Sequence, residues 1–220
     1  MENKKILFVE KNPYFGVFLN VLQGEAIEKG FNVKKIVEKF RELSEFKHDY
    51  EDGLQAIISN DYEIIAVGAN FPDKMNDKLK KLVIESMEKF KSGNGYGMDD
   101  ATYFSIVDEL NKNIPENEKD KNITYDNFVK FYNKAKEIKN VKEETKEKNI
   151  ILHTGSEQVK TLMFAYEHKI PTYYKKGPDT AILKMNEHAT YFNLPKIDYS
   201  VWSPQGSSQF ALKLIEILKD

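Results

Sequence analysis

The stretch "KKILFVEKNPYFGVFLNVLQGEAIEKGF" (residues 4–31) decides how the chain is read. Ile6 to Val9 form a continuous apolar run too short for a helix, as a strand buried on both faces does. Beyond Glu10, Lys11, Asn12 and Pro13, the residues Phe15, Phe18, Leu19 and Leu22 recur at helical spacing, followed by Ile27, and Gly30 stops the pattern. A buried strand that passes through a polar turn into a helix is the first half of a βαβ unit. In a parallel sheet that turn lies at the carboxyl edge, where ligands and metals gather.

The pattern repeats along the chain. "NVKKIV" (32–37) reads as a second strand, "EKFRELSEFKHDY" (38–50) as a charged helical or irregular excursion, and "EDGLQAIISNDY" (51–62) as a helix carrying Leu54, Ile57 and Ile58. "EIIAVGANFP" (63–72) is a third buried strand ending at Gly68. Residues 73–148 are polar and rich in Lys and Glu, with helical segments at 76–91, 99–112 and 124–138. The run 134–149 reads as a solvated helix or connector. "NIILHTGS" (149–156) and "IPTYYKK" (170–176) supply strands four and five around the helix "EQVKTLMFAYEHK". Residues 177–204 are mixed, with Pro178, Pro195 and Pro204 as breakers, and a last helix begins at Ser207. Alternating strands and helices imply an α/β fold, a parallel five-stranded sheet covered on both faces.

Composition narrows the functional classes. A net charge of −2, from 33 basic and 35 acidic side chains, recruits neither nucleic acid nor an anionic membrane. The absence of cysteine excludes disulfides, thiolate metal sites and cysteine nucleophiles, and fits a reducing compartment. The apolar run after "MENKK" is shorter than a signal peptide or membrane span needs, so a cytoplasmic protein is expected.

In this order the signals resemble the receiver domain of bacterial two-component response regulators, a flavodoxin-like three-layer sandwich. "ILFVEKNP" resembles the family's first strand with its acidic pair, and Asp52-Gly53 the "DG" that opens its second helix. Pro72 stands four residues after Gly68, as the family's proline follows its phospho-accepting Asp. "GMDD" (97–100) resembles the turn before the third helix, and Thr154-Gly155 the end of the fourth strand. Lys176, with Lys175 as its rival, and Pro178 match the family's Lys and Pro near the fifth strand, and Tyr173 its aromatic switch residue. The resemblance implies one domain over 1–220, with helical insertions at approximately 38–50, 73–96 and 113–148 and no DNA-binding output segment after the last helix.

The departures fall on the chemistry. Phosphoryl transfer to a carboxylate needs a nucleophilic Asp and a carboxylate cage for Mg²⁺. Here Gly68 has no side chain, Lys11 stands where the main metal ligand would, and Asp73 lies five residues too late. The resemblance therefore implies a degenerate, phosphorylation-independent pseudo-receiver, not an enzyme, needing no cofactor and working through a protein partner or self-association.

Other readings of the same residues stay open. Glu10, Lys11 and Lys176 read as a local ion-pair cluster, an anion or nucleotide pocket, or exposed charges. A small flavodoxin-like enzyme or nucleotide binder would use the rim Glu10, Asn70, Thr154 and Lys176. "HTGSEQ" (153–158) offers a helix N-terminus capped by Ser156 or open to phosphate. "SGNGYG" (92–97) lacks the flanks of a phosphate loop and reads as a joint. The four histidines have no metal-ligand spacing, though His153 can line the edge. Tyr173 and Trp202 are read as a possible interaction face, with core packing against the last helix as the alternative for Trp202.

Overall fold

The computed structural model describes residues 6–11, 14–112, 127–142, 149–155 and 159–219. The elements run β1 (Ile6–Val9), α1 (Gly16–Glu28), α2 (Val33–Leu43), β2 (Ser44–Lys47), α3 (Tyr50–Ser59), β3 (Ile64–Val67) and α4 (Asp77–Lys91). There follow α5 (Asp100–Asn111), α6 (Asn127–Lys142), β4 (Asn149–Thr154), α7 (Val159–Glu167), β5 (Thr172–Tyr174), α8 (Pro178–Tyr191) and α9 (Ser207–Leu218). Asn12-Pro13, the Ser156 cap, residues 113–126 of the expected insertion and the charged run 143–148 lie outside the described residues.

The five strands form one sheet in the order β2-β1-β3-β4-β5, and every pairing is parallel. This is the flavodoxin-like order, with receiver-like topology, and it sets the ends of β1 and β3 beside each other at the switch point. Alternation along the strands separates two cores. Ile6, Phe8, Ile64, Ala66, Ile151 and Tyr173 face α1, α2 and α9. Leu7, Val9, Ile65, Val67, Leu152 and Tyr174 face α3, α6, α7 and α8. A smaller cluster around Leu79, Val83, Tyr103 and Val107 joins α4 to α5.

Two elements differ from the sequence expectation. Residues 32–37 are not a strand: they hold the cap and first turns of α2, and β2 lies at Ser44–Lys47 within the expected insertion 38–50. The reason is the periodicity of Ile36, Val37 and Phe40, all buried on one helical face, behind an Asn32 side chain that accepts from Lys35 N–H at 3.0 Å. β2 is the edge strand, and only Ser44 and Phe46 of its four residues are buried, so its apolar signal is short. The second difference is α8, inside a stretch expected to be irregular. Pro178 stands at its first turn, where a missing N–H costs nothing, and Ala181, Met185 and Ala189 bury one stripe.

Gly53, the second residue of the "DG" pair, lies under the sheet. A Cβ there would come within 2.9 Å of both Val9 and Phe131, so α3 approaches β1 and α6 as closely as backbone allows. Asp49 caps the same helix by accepting from Asp52 N–H at 2.9 Å, and it also accepts from Met75 N–H at 3.2 Å.

Candidate functional site

The pleat that buries Phe8 carries on beyond the strand ends and determines which side chains meet at the carboxyl edge. Phe8 pairs with Ala66, and His153 with Tyr173. Two residues further on each strand, Glu10, Gly68, Gly155 and Lys175 fall on the same face. Glu10 donates its N–H to the carbonyl of Lys47 and Gly68 donates to that of Val9, each at 2.9 Å, so the backbone there is still held by the sheet.

Glu10 is the centre of the cluster. Its carboxylate accepts from Lys175 Nζ at 2.9 Å on Oε1 and 2.7 Å on Oε2, and from His153 Nδ1 at 3.1 Å on Oε1. Its main-chain carbonyl accepts from His48 Nδ1 at 3.2 Å. The Glu10 side chain is 10% exposed and that of Lys175 is 39% exposed, so the carboxylate is the desolvated member of the pair. Burial by itself would raise the Glu10 pKa. The Lys175 charge and the hydrogen bonds from His153 and Lys175 outweigh it and hold the carboxyl at about 2. Burial lowers the His153 pKa, the Lys175 charge adds to this, and Glu10 opposes both. Burial also takes His48 down to about 4, against its hydrogen bond to Glu10 and the nearby aspartates. The neighbourhood is therefore one carboxylate and one ammonium beside two imidazoles whose charged forms burial disfavours.

Gly68 is part of this geometry. A Cβ built on it would sit 3.2 Å from Glu10 Cγ and 3.7 Å from Cδ, so the stem of Glu10 lies against the position where a residue at 68 would extend. The opposite side of His153 is aromatic: its ring centroid is 4.6 Å from that of Phe210 on α9 and 6.0 Å from that of Phe18 on α1. Phe210 in turn packs at a tilt against Tyr173, with ring centroids 4.9 Å apart.

The remaining expected residues fall elsewhere. Lys175, not Lys176, makes the ion pair with Glu10: the Lys175 N–H is still tied to the Thr154 carbonyl at 2.8 Å, whereas Lys176 lies in the turn that Gly177 N–H closes on the Tyr174 carbonyl at 3.0 Å, and its own carbonyl accepts from the Thr180 hydroxyl at 3.2 Å. Lys11 carries its ammonium to α5, 4.5 Å from the Phe104 ring centroid and 5.8 Å from that of Tyr103. Thr154 is buried, and its carbonyl accepts the Lys175 N–H at 2.8 Å. Asp73 is 2.6 Å from Lys130. Within "SGNGYG", Gly93 and Gly97 adopt φ of +85° and +89°, and Tyr96 accepts from Phe15 N–H at 2.8 Å, which ties this joint to the start of α1.

Tyr173 and Trp202, the possible interaction face, both lie in the core: only 6% and 7% of each is exposed. Trp202 donates its Nε1–H to the Ile170 carbonyl at 2.8 Å and packs edge-on against Tyr166. The exposed apolar side chains nearby are Leu183, Tyr191, Phe192 and Leu194 on and after α8, and Val201.

The donor set does not suit the Mg²⁺ of a working receiver. It offers one carboxylate at the end of β1, already neutralised by an ammonium that a cation would have to displace. Among the described residues no group of three or more His, Cys, Asp or Glu is arranged to hold a metal ion, and no helix is long and apolar enough to cross a membrane. The chain matches no family model, no curated protein and no solved structure.

Proposed function

We propose that the chain is a phosphorylation-independent pseudo-receiver that acts in regulation or signalling through protein–protein contact. The observation that carries this reading is the Glu10–Lys175 pair lying against Gly68. The resemblance puts an acceptor Asp at position 68 and pairs the lysine of strand five with it. In this chain position 68 has no nucleophile, and the lysine is satisfied by a carboxylate from β1. The fold is kept and the reaction is absent, which leaves binding as the output. Exposed Leu183, Tyr191, Phe192 and Val201 support a contact surface on and after α8, beside β5.

Two measurements test this. Beryllofluoride with Mg²⁺, or a small-molecule phosphodonor, is expected to leave the amide resonances of Glu10, Gly68 and Thr154 unmoved, and a saturable shift there would refute the loss of phosphoryl chemistry. Cross-linking in the native cell should give a discrete protein partner, or a second copy of the chain, that is lost in the Tyr191→Ser, Phe192→Ser double variant. An unchanged cross-linking pattern would remove α8 as the contact surface.

A further inference from the structure

We infer that the carboxyl edge holds a carboxylate-binding site formed by Lys175 and His153, and that Glu10 is its resident, covalently tethered ligand. Three observations carry this. Lys175 Nζ lies within 2.9 Å of both Glu10 oxygens, and His153 Nδ1 adds a second donor to Oε1. The donors come from the ends of β4 and β5 and the carboxylate from the end of β1, so they converge on the charge across the sheet instead of being its neighbours in sequence. Gly68 leaves the space that the Glu10 stem fills, and a Cβ at 68 would crowd it at 3.2 Å. An ammonium within hydrogen-bond reach of both oxygens and an imidazole N–H on one of them give the carboxylate charge-assisted hydrogen bonds, the strong kind that holds an anion.

The inference stands on this geometry and does not need the regulatory reading. It makes a chemical demand. Glu10→Ala removes a CH₂ and a carboxylate, the heavy atoms of acetate, and leaves Lys175 and His153 facing the space. Acetate added to that variant is expected to refill it. At about ten times its dissociation constant, acetate should raise the melting temperature of Glu10→Ala by about 3–6 °C, saturably and beyond chloride at equal ionic strength. The wild-type chain and the Glu10→Ala, Lys175→Met double variant should show no saturable rise.

If Glu10→Ala does not fold, the isosteric Glu10→Gln carries the test through chemical labelling. Lys175 should be methylated faster in Glu10→Gln than in the wild-type chain, since the charge that holds its ammonium is gone. Equal responses of Glu10→Ala to acetate and chloride, or an equal Lys175 labelling rate in Glu10→Gln and wild type, would overturn the inference. Inorganic phosphate stabilising Glu10→Ala more than acetate does would overturn the carboxylate assignment. Loss of the partner contact at α8 would leave the acetate result untouched, so the two readings fail separately.

Discussion

Replacing Glu10 by Gln keeps the shape of the side chain and removes its charge, so it measures what the buried carboxylate contributes. The carboxyl is held at about 2 in the folded chain against an ordinary 4.5. At about 1.4 kcal/mol per pH unit, this corresponds to about 3 kcal/mol of stabilisation of the ionised form. The sign follows from the depressed pKa. Between pH 4.5 and 2 the unfolded chain binds the proton that the folded chain refuses, so the contribution is complete above 4.5 and drains away as pH falls toward 2.

The stability difference between wild type and Glu10→Gln is therefore expected to be about 3 kcal/mol at pH 7 and about half that at pH 3. Urea unfolding followed by the emission of Trp202, the only tryptophan, measures it. A difference below about 1 kcal/mol at pH 7, or one that stays constant from pH 5 to pH 3, would refute the account of the Glu10–Lys175–His153 cluster.

Three further outcomes are expected. His48, buried and neutral with its pKa down at about 4, makes the unfolded chain the better base below pH 6.5. Wild type should lose about 3 kcal/mol to this group between pH 7 and pH 4, and the loss should be absent from the urea midpoints of His48→Gln. Gly53→Ala forces a Cβ to within 2.9 Å of Val9 and Phe131, and should cost about 1–3 kcal/mol by thermal unfolding, while Gly24→Ala, with nothing within 4 Å, should not destabilise. Trp202→Phe removes the 2.8 Å donor to the buried Ile170 carbonyl, which keeps the Thr172 hydroxyl at 3.0 Å, so the change should cost about 0.5–1.5 kcal/mol by chemical denaturation, read by circular dichroism since the fluorophore is gone.

Much of the architecture was legible before any tertiary contact. Ile6–Val9 and Ile64–Val67 are uninterrupted apolar runs because parallel strands in a three-layer fold are buried on both faces, and such runs announce themselves. β2 did not, since an edge strand of four residues buries only Ser44 and Phe46, while the neighbouring Val33, Ile36 and Val37 look equally apolar until their helical spacing is weighed. The α8 helix was hidden by Pro178, which reads as a breaker although it is tolerated in a first turn.

Sequence by itself determined the class of the fold, the alternation of strands with helices, and the absence of a nucleophile at position 68, because these depend on local periodicity and residue identity. The tertiary structure decided which charges meet. Lys175 and Lys176 are indistinguishable as neighbours in a chain, but β5 ends just before them: Lys175 is still tied to the Thr154 carbonyl and reaches Glu10, while Lys176 follows in the turn that Gly177 N–H closes on the Tyr174 carbonyl. The burial of Tyr173 and Trp202 was settled in the same way. An aromatic side chain suits a core and an interface equally well, and the choice rests with what packs over it: Phe210 on α9 for Tyr173, and Tyr166 with the Ile170 carbonyl for Trp202.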